Sequence, residues 1–251
     1  MLELLDRLPT GRDEAPFVKR VLLIGAGGVG HLLAWTLARA GGLELHLLDD
    51  DLVELSNLHR QVLFEVEDLG QKKATALARR LAERVPGARI EAHDGRFVPA
   101  TAARWVHDVD LVIDGSDNFA TRFLAADACF LAGRPVVHAA AVAWRGVVMS
   151  ATGGGAPCYR CVFEDLPEGE APNCASAGVA GPLVGVVGAI GAELGLRLLA
   201  GGGPALVTVD GDALRLREIV PHARASCPLC GTRTLRELEL ARYLGAACAS
   251  S

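Results

Sequence analysis

Polar and cationic residues gather downstream of a glycine turn in this chain. The stretch VLLIGAGGVG places Gly25, Gly27 and Gly30 in G-x-G-x-x-G spacing, with Gly28 inside the turn. Such glycines bring backbone N–H groups close to a phosphate, and the helix that follows adds partial positive charge. Asp49 stands 19 residues after Gly30, where a carboxylate accepts hydrogen bonds from ribose hydroxyls. To this point NAD and ATP fit equally. The next residues separate them. DDDLVELSNLHRQVLF puts Asn57 and Arg60 just beyond the ribose acid, and LGQKKA puts Lys73 near the start of the next helix. Hydride transfer has no use for several polar and cationic groups converging on phosphates. Cleavage between the α- and β-phosphates does, because the departing pyrophosphate gains negative charge. Arg60 offers a planar fork and Lys73 a point charge; Lys72 reads as a solvated surface cation. In VIDGSDN, Asp114 and Asp117 lie near the C-terminal end of a strand, where open α/β sheets bind ligands. Asp117 is expected to hold magnesium against the triphosphate, and Asp114 to cap or shape the turn.

The chain has seven cysteines, four of them in two C-x-x-C pairs, Cys158 and Cys161 in CYRC and Cys227 and Cys230 in CPLC. Two such pairs complete a tetrahedral site, and an all-sulfur donor set suits zinc. A redox C-x-x-C is the alternative, and it needs only one pair. Cys174 in PNCASAG sits alone, in a loop just before a helix. A thiol there is either an activated nucleophile or a spectator. Cys129 reads as core and Cys248 as part of a mobile tail. His31 is expected to be partly buried, and His59 carries no assigned role.

These residues need a frame, and residues 20–142 supply one as strands alternating with helices. RVLLIG runs into the glycine turn, and Gly28–Ala40 follows helical spacing, stopped by Gly41 and Gly42. LELHLLDD, ARIEAHD, DLVIDGSD and RPVVHAAAV read as further strands. Helices are expected around Ala74–Val85 and from Asn118 to Gly133. The order predicts an α/β fold: a Rossmann-like, mostly parallel sheet with helices on both faces. After Trp144 the pattern changes to one more strand, an irregular loop over residues 153–176, a helix from Gly181 to Leu199, and a hairpin around Asp210-Gly211. The second cysteine pair and a short helical tail complete a C-terminal zinc-binding segment. The expectation is one domain over 1–251, with a nucleotide-binding core at 20–142 and the remaining elements at 143–251.

Composition limits the function. Hydrophobic residues make up 51% and charged residues 22%, which excludes general disorder. A formal net charge of -5 argues against a general nucleic-acid binder. MLELLDRLP lacks the layout of a secretory signal. The apolar stretch Ala177–Gly201 has the length of a membrane span but contains Pro182, Glu193 and Arg197, so a core or interface helix is expected. The expected location is the cytoplasm, with no membrane partner.

Taken in order, GAGGVG, DDD, SNLHRQ, LGQKKA, DGSDN, the two C-x-x-C pairs and NCASAGVAGPLVG resemble the ThiF/MoeB/HesA family, bacterial relatives of ubiquitin-activating enzymes. The resemblance runs from about Arg20 to Cys230. It implies an adenylyltransferase that joins the C-terminal Gly-Gly carboxylate of a small ubiquitin-like sulfur carrier to AMP, releasing pyrophosphate, before a sulfur donor forms the thiocarboxylate. It further implies ATP, magnesium and zinc as cofactors and a homodimer. Gly28 would lie in the phosphate turn, Asp49 on the ribose, Asn57, Arg60 and Lys73 on the phosphates, and Asp117 at magnesium and the reacting centre. Cys174 would take part in sulfur transfer through an acyl disulfide, or stand by unused as in some relatives. The alternatives are adenylation of another peptide or protein terminus, and a non-catalytic carrier-binding scaffold. The sequence departs from the pattern at its start. The family's N-terminal RYxRQ-like segment, whose arginine reaches the partner subunit's ATP, has no counterpart; Arg7 and Arg12 are the only substitutes. No rhodanese-like domain follows, so a separate cysteine desulfurase or rhodanese-like protein is expected to supply sulfur. The Gly/Ala/Val-rich helix after Pro182 is expected to pack closely against another subunit.

Overall fold

Alternation in the first strand divides the interior into two cores. In β1 (Lys19–Ile24), Val21 and Leu23 face one side of the sheet, and Leu22 and Ile24 face the other. Successive side chains of a strand point to opposite faces, so a strand apolar on both must be covered on both. The computed structural model describes residues 18–167 and 177–243. Arg7, Arg12, Cys174 and Cys248 lie outside them.

Eight strands form one sheet in the order β3-β2-β1-β4-β5-β6-β7-β8. β1, β2 (Leu43–Leu48), β3 (Arg89–His93), β4 (Leu111–Asp114) and β5 (Val136–Val142) run parallel. β6 (Arg145–Ala151), β7 (Ala205–Asp210) and β8 (Arg215–Ile219) continue the same sheet as an antiparallel meander. Strand order reverses between β1 and β4, which opens a crevice at their C-terminal ends.

One face carries α1 (Gly28–Ala40), α2 (Lys73–Arg84) and α6 (Gly181–Leu199); the other carries α3 (Pro99–His107), α4 (Phe119–Leu131) and α5 (Tyr159–Phe163). The sequence pattern gives no sign of two of these. α3 opens on Pro99, which has a preset φ and lacks an N–H that the first turn leaves unpaired anyway. α5 is a five-residue helix between Cys158 and Glu164, inside the stretch read as irregular.

In α6, the helix expected to pack against another subunit, Gly188, Gly191 and Gly195 press on neighbours within the chain, whereas a Cβ on Gly185 would meet nothing within 4 Å. A Cβ on Gly188 would lie 2.8 Å from Leu32 Cβ and 2.9 Å from the Val29 carbonyl oxygen, so glycine lets α6 lie directly on α1. Among the described residues α6 is the one helix long and apolar enough to cross a membrane; here it packs on α1, β4, β5 and β6.

The loop from β2 to α2 carries Asn57 and Arg60, and a buried carboxylate holds it to α2. Asp68 is fully buried and accepts from Arg80 Nε at 2.9 Å and from Arg79 Nη2. The bond from Gly70 N to the Val53 carbonyl and that from Lys73 N to the Asp51 carbonyl, both 2.9 Å, fasten the rest.

Candidate nucleotide site and cysteine cluster

A cavity of about 580 Å³ opens at the crevice, within the range of small-molecule sites. Gly25, Gly27, Gly28, Asp49, Arg60, Lys73 and Asp117 all line it. Gly30 and Asn57 stand behind them.

The glycine turn is built by close approach. Gly25 has φ +92°, and a Cβ on Gly30 would fall 2.1 Å from the Gly25 carbonyl oxygen. Gly27 differs: a Cβ there would meet nothing within 4 Å. Gly27 is the N-cap of α1 and offers no side chain to it. The first N–H groups of a helix have no carbonyl partners inside it, so this terminus suits an anion in the open space beside Gly27. Behind the turn His31 is fully buried, not partly. Its Nδ1 donates to the Gly27 carbonyl at 2.7 Å, and its Nε2 has no protein partner. Burial, aided by nearby Lys73, lowers its pKa to about 4.

Asp49 follows β2 directly and braces the turn as well as facing the cavity. It accepts from Ala26 N at 2.7 Å and from Asp51 N at 2.8 Å. Burial raises its pKa, against the pull of those donors and Lys73. A carboxylate has about four acceptor sites, so about two remain for sugar hydroxyls. Each cation rests on a neighbour. Lys73 Nζ bonds Asp51 Oδ2 at 2.7 Å, and Arg60 Nη2 donates to Asn57 Oδ1. Asn57 is thus a buried support for Arg60 and does not line the cavity. Lys72 is also held, by Asp94 and the Asp50 carbonyl, both at 3.0 Å. With 41% of its side chain exposed and an exposed partner, it remains a surface cation as the sequence reading expects.

Asp114 and Asp117 divide as their surroundings dictate. Asp117 is exposed at the cavity. Asp114 is fully buried; it accepts from Ser116 N and Oγ and pairs with His138 Nδ1 at 2.9 Å. Burial pushes its pKa up, but His138, Arg122 and Ser116 outweigh that and hold it below the usual carboxylate range. The helix cap belongs to Asn118, which accepts from Thr121 N at 2.7 Å. Arg122, which sequence reasoning missed, lines the cavity and donates to the Ser116 carbonyl at 2.6 Å. A lone arginine in the apolar run NFATRFLAADACFLAG is its only signal.

The four paired cysteines meet although 69 positions separate Cys158 from Cys227. Between sulfurs, Cys158 to Cys227 is 3.5 Å, Cys161 to Cys230 is 3.2 Å and Cys158 to Cys161 is 4.0 Å. Zinc–sulfur bonds of about 2.3 Å imply sulfurs about 3.8 Å apart in a tetrahedron, so the donor set fits zinc. Burial opposes ionisation of Cys227, yet surrounding N–H groups bring its thiol down to about 7, while burial holds Cys230 up at about 11. Arg160, inside CYRC, is fully buried and forks onto Asp127 of α4 at 2.8 and 2.9 Å. Tyr243 adds a third bond to Asp127 at 2.9 Å, and Tyr243 and Leu240 form part of the cavity wall.

The profile of the ThiF family matches residues 10–229. The chain belongs to the ThiF family. This ThiF-family chain is 39% identical over 229 residues to the sulfur carrier protein adenylyltransferase of Thermus thermophilus, covering 87% of the chain and 84% of that relative. It is 42% identical to the adenylyltransferase and sulfurtransferase MOCS3 of Sus scrofa, matching 87% of the chain but spanning only 50% of that longer protein. The crystal structure of E. coli MccB shares the fold, with a TM-score of 0.76 at 22% identity over 92% of this chain and 69% of MccB.

Proposed function

We propose that this ThiF-family adenylyltransferase activates the C-terminal carboxylate of a small ubiquitin-like sulfur carrier ending in Gly-Gly. The carboxylate oxygen attacks the α-phosphorus of ATP, the bond to the bridging oxygen breaks, and pyrophosphate leaves with the electron pair. Convergence of Gly27, Asp49, Arg60, Lys73 and Asp117 on one cavity is the observation that carries this reading. No side chain has to become covalently attached in this step. The protein aligns two anions and offsets their charge. Gly27 and Gly28 receive phosphate oxygens, Asp49 the ribose, and Arg60 and Lys73 the charge that moves onto the leaving group. An exposed carboxylate at the cavity suits magnesium, which would supply further neutralisation when held by Asp117.

ATP–pyrophosphate exchange tests the proposal. Exchange should require a Gly-Gly-ended carrier, and Asp117→Ala should lower it at least roughly 100-fold with an unchanged circular dichroism spectrum. Full exchange in that variant removes the assignment of Asp117; exchange with unrelated peptides redirects the substrate class. A separate sulfur donor completes the thiocarboxylate. Cys174→Ser should spare exchange and block that product if the thiol transfers sulfur. A homodimer is part of this proposal, supported by Leu55, Val62 and Val66, which stand exposed on the loop that carries Arg60.

A further inference from the structure

His46 and His93 lie outside both the nucleotide cavity and the cysteine cluster, and adenylate formation makes no use of them. They sit on β2 and β3, the pair at one edge of the sheet. Register places His46 opposite Glu91 and Leu48 opposite His93, so Glu44, His46, Glu91 and His93 share one face by strand alternation. Arg20 and Arg89 share that face at the sheet edge, and Arg20 Nε pairs with Glu44 Oε2 at 3.3 Å, which leaves the two histidines and Glu91 as the group facing one another.

Their atoms converge. His46 Nδ1 is 3.0 Å from His93 Nε2. Glu91 reaches both rings, with Oε2 3.5 Å from His46 Nδ1 and Oε1 3.9 Å from His93 Nε2. The imidazoles are within 7° of parallel with centroids 5.3 Å apart, which with the short nitrogen contact sets them end to end in one plane. Bonds of about 2.0–2.1 Å from zinc to nitrogen and oxygen separate tetrahedral ligand atoms by about 3.4 Å. The three observed distances bracket that value. Beyond the first ring, Glu44 Oε1 lies 3.5 Å from His46 Nε2. His46 Nε2 is buried and makes no hydrogen bond, so Glu44 is the carboxylate placed to accept its proton once the ring turns onto an ion.

We propose that His46, Glu91 and His93 form a second metal site that takes a borderline divalent cation such as zinc. His46 binds through Nδ1, His93 through Nε2, and Glu91 through its carboxylate. Without the ion, His93 Nε2–H donates to His46 Nδ1; on binding, that proton moves to His93 Nδ1 through solvent, and each ring turns by roughly 35–45° toward Glu91 to aim its lone pair at the ion. The side chains are 17%, 58% and 22% exposed in the order His46, Glu91, His93, which lets an ion enter from solvent at the sheet edge. His93 also hands the chain on to the cavity: its carbonyl accepts from Asp49 N at 3.2 Å, and Gly95, Arg96 and Phe97 line the wall.

The test uses the full chain with zinc already on its cysteines, titrated with Co²⁺. One further equivalent should bind, with a d–d spectrum that lacks sulfur-to-cobalt charge transfer. The Trp105 ring lies 4.9 Å from that of His93, so its fluorescence should be quenched in parallel. His46→Asn and His93→Gln should each weaken this binding at least roughly 100-fold, and Glu44→Gln roughly 10-fold, with the cysteine-bound zinc retained. Glu91→Gln, a change at an exposed side chain, carries the test if a histidine variant fails to fold. No thiolate-free equivalent in the unmodified chain, or the same equivalent in all the ligand variants, would overturn the site and leave a proton-sharing histidine pair only.

Discussion

His31 illustrates how much a single side chain is constrained by the turn it supports. Its Nδ1 is committed to the Gly27 carbonyl, and its other nitrogen is buried without a protein partner. Its pKa is about 4 in the folded chain, against an ordinary 6.5. The unfolded chain therefore binds more protons between those values. Stability is complete above pH 6.5 and falls as pH drops toward 4, by ~3 kcal/mol at most. Urea midpoints measured across that window should decline, and His31→Gln should flatten the decline. An unchanged slope in the variant would assign the acid sensitivity to other groups. Arg60 and Lys73 teach a related lesson. Both are legible from residue type and spacing, but their resting partners are not. Asn57 looks like a phosphate ligand because it stands in the same short stretch; only folding reveals that it holds the arginine.

At the scale of elements, the glycine turn makes two opposite predictions from one motif. Gly30→Ala drives a Cβ into the Gly25 carbonyl and should cost about 1–3 kcal/mol of stability in a thermal melt. Gly27→Ala has room, so stability should stay within about 0.5 kcal/mol, while ATP binding weakens at least roughly 10-fold because the methyl group takes phosphate space. Calorimetry of ATP binding beside the melts separates the two. Equal effects in both variants would contradict the assignment of Gly27 to the phosphate. The parallel strands, α1, α4, α6 and the hairpin can be read from periodicity and glycine stops. α3 cannot, since PATAARWVH mixes small, basic and apolar residues too evenly for a clear stripe. α5 escapes for another reason: five residues are too few for periodicity, and tertiary contacts of Arg160 and Tyr159 hold it in place.

Across the whole molecule, Asp127 joins three distant parts of the chain. α4 supplies the carboxylate, the CYRC stretch supplies Arg160, and Tyr243 comes from the residues beyond the second cysteine pair. Arg160→Ala leaves a buried carboxylate with one neutral donor and should destabilise the fold by about 3–5 kcal/mol, seen as a lower thermal midpoint. The paired cysteines are legible as a metal set from spacing, yet this clamp is not, because an acid inside an apolar helix and an arginine between two cysteines give no hint in sequence that they meet.

Through this clamp, a zinc ion held by the four cysteines and a nucleotide in the cavity would be thermodynamic neighbours. Tyr243 is both a wall of the cavity and a donor to Asp127, so loosening the metal-held segment loosens that wall. Reciprocity then applies: whatever factor zinc contributes to ATP affinity, ATP must return to zinc affinity. Chelator extraction followed with a colorimetric zinc indicator should slow when ATP is present, and a rate indifferent to ATP would show that the two sites act independently.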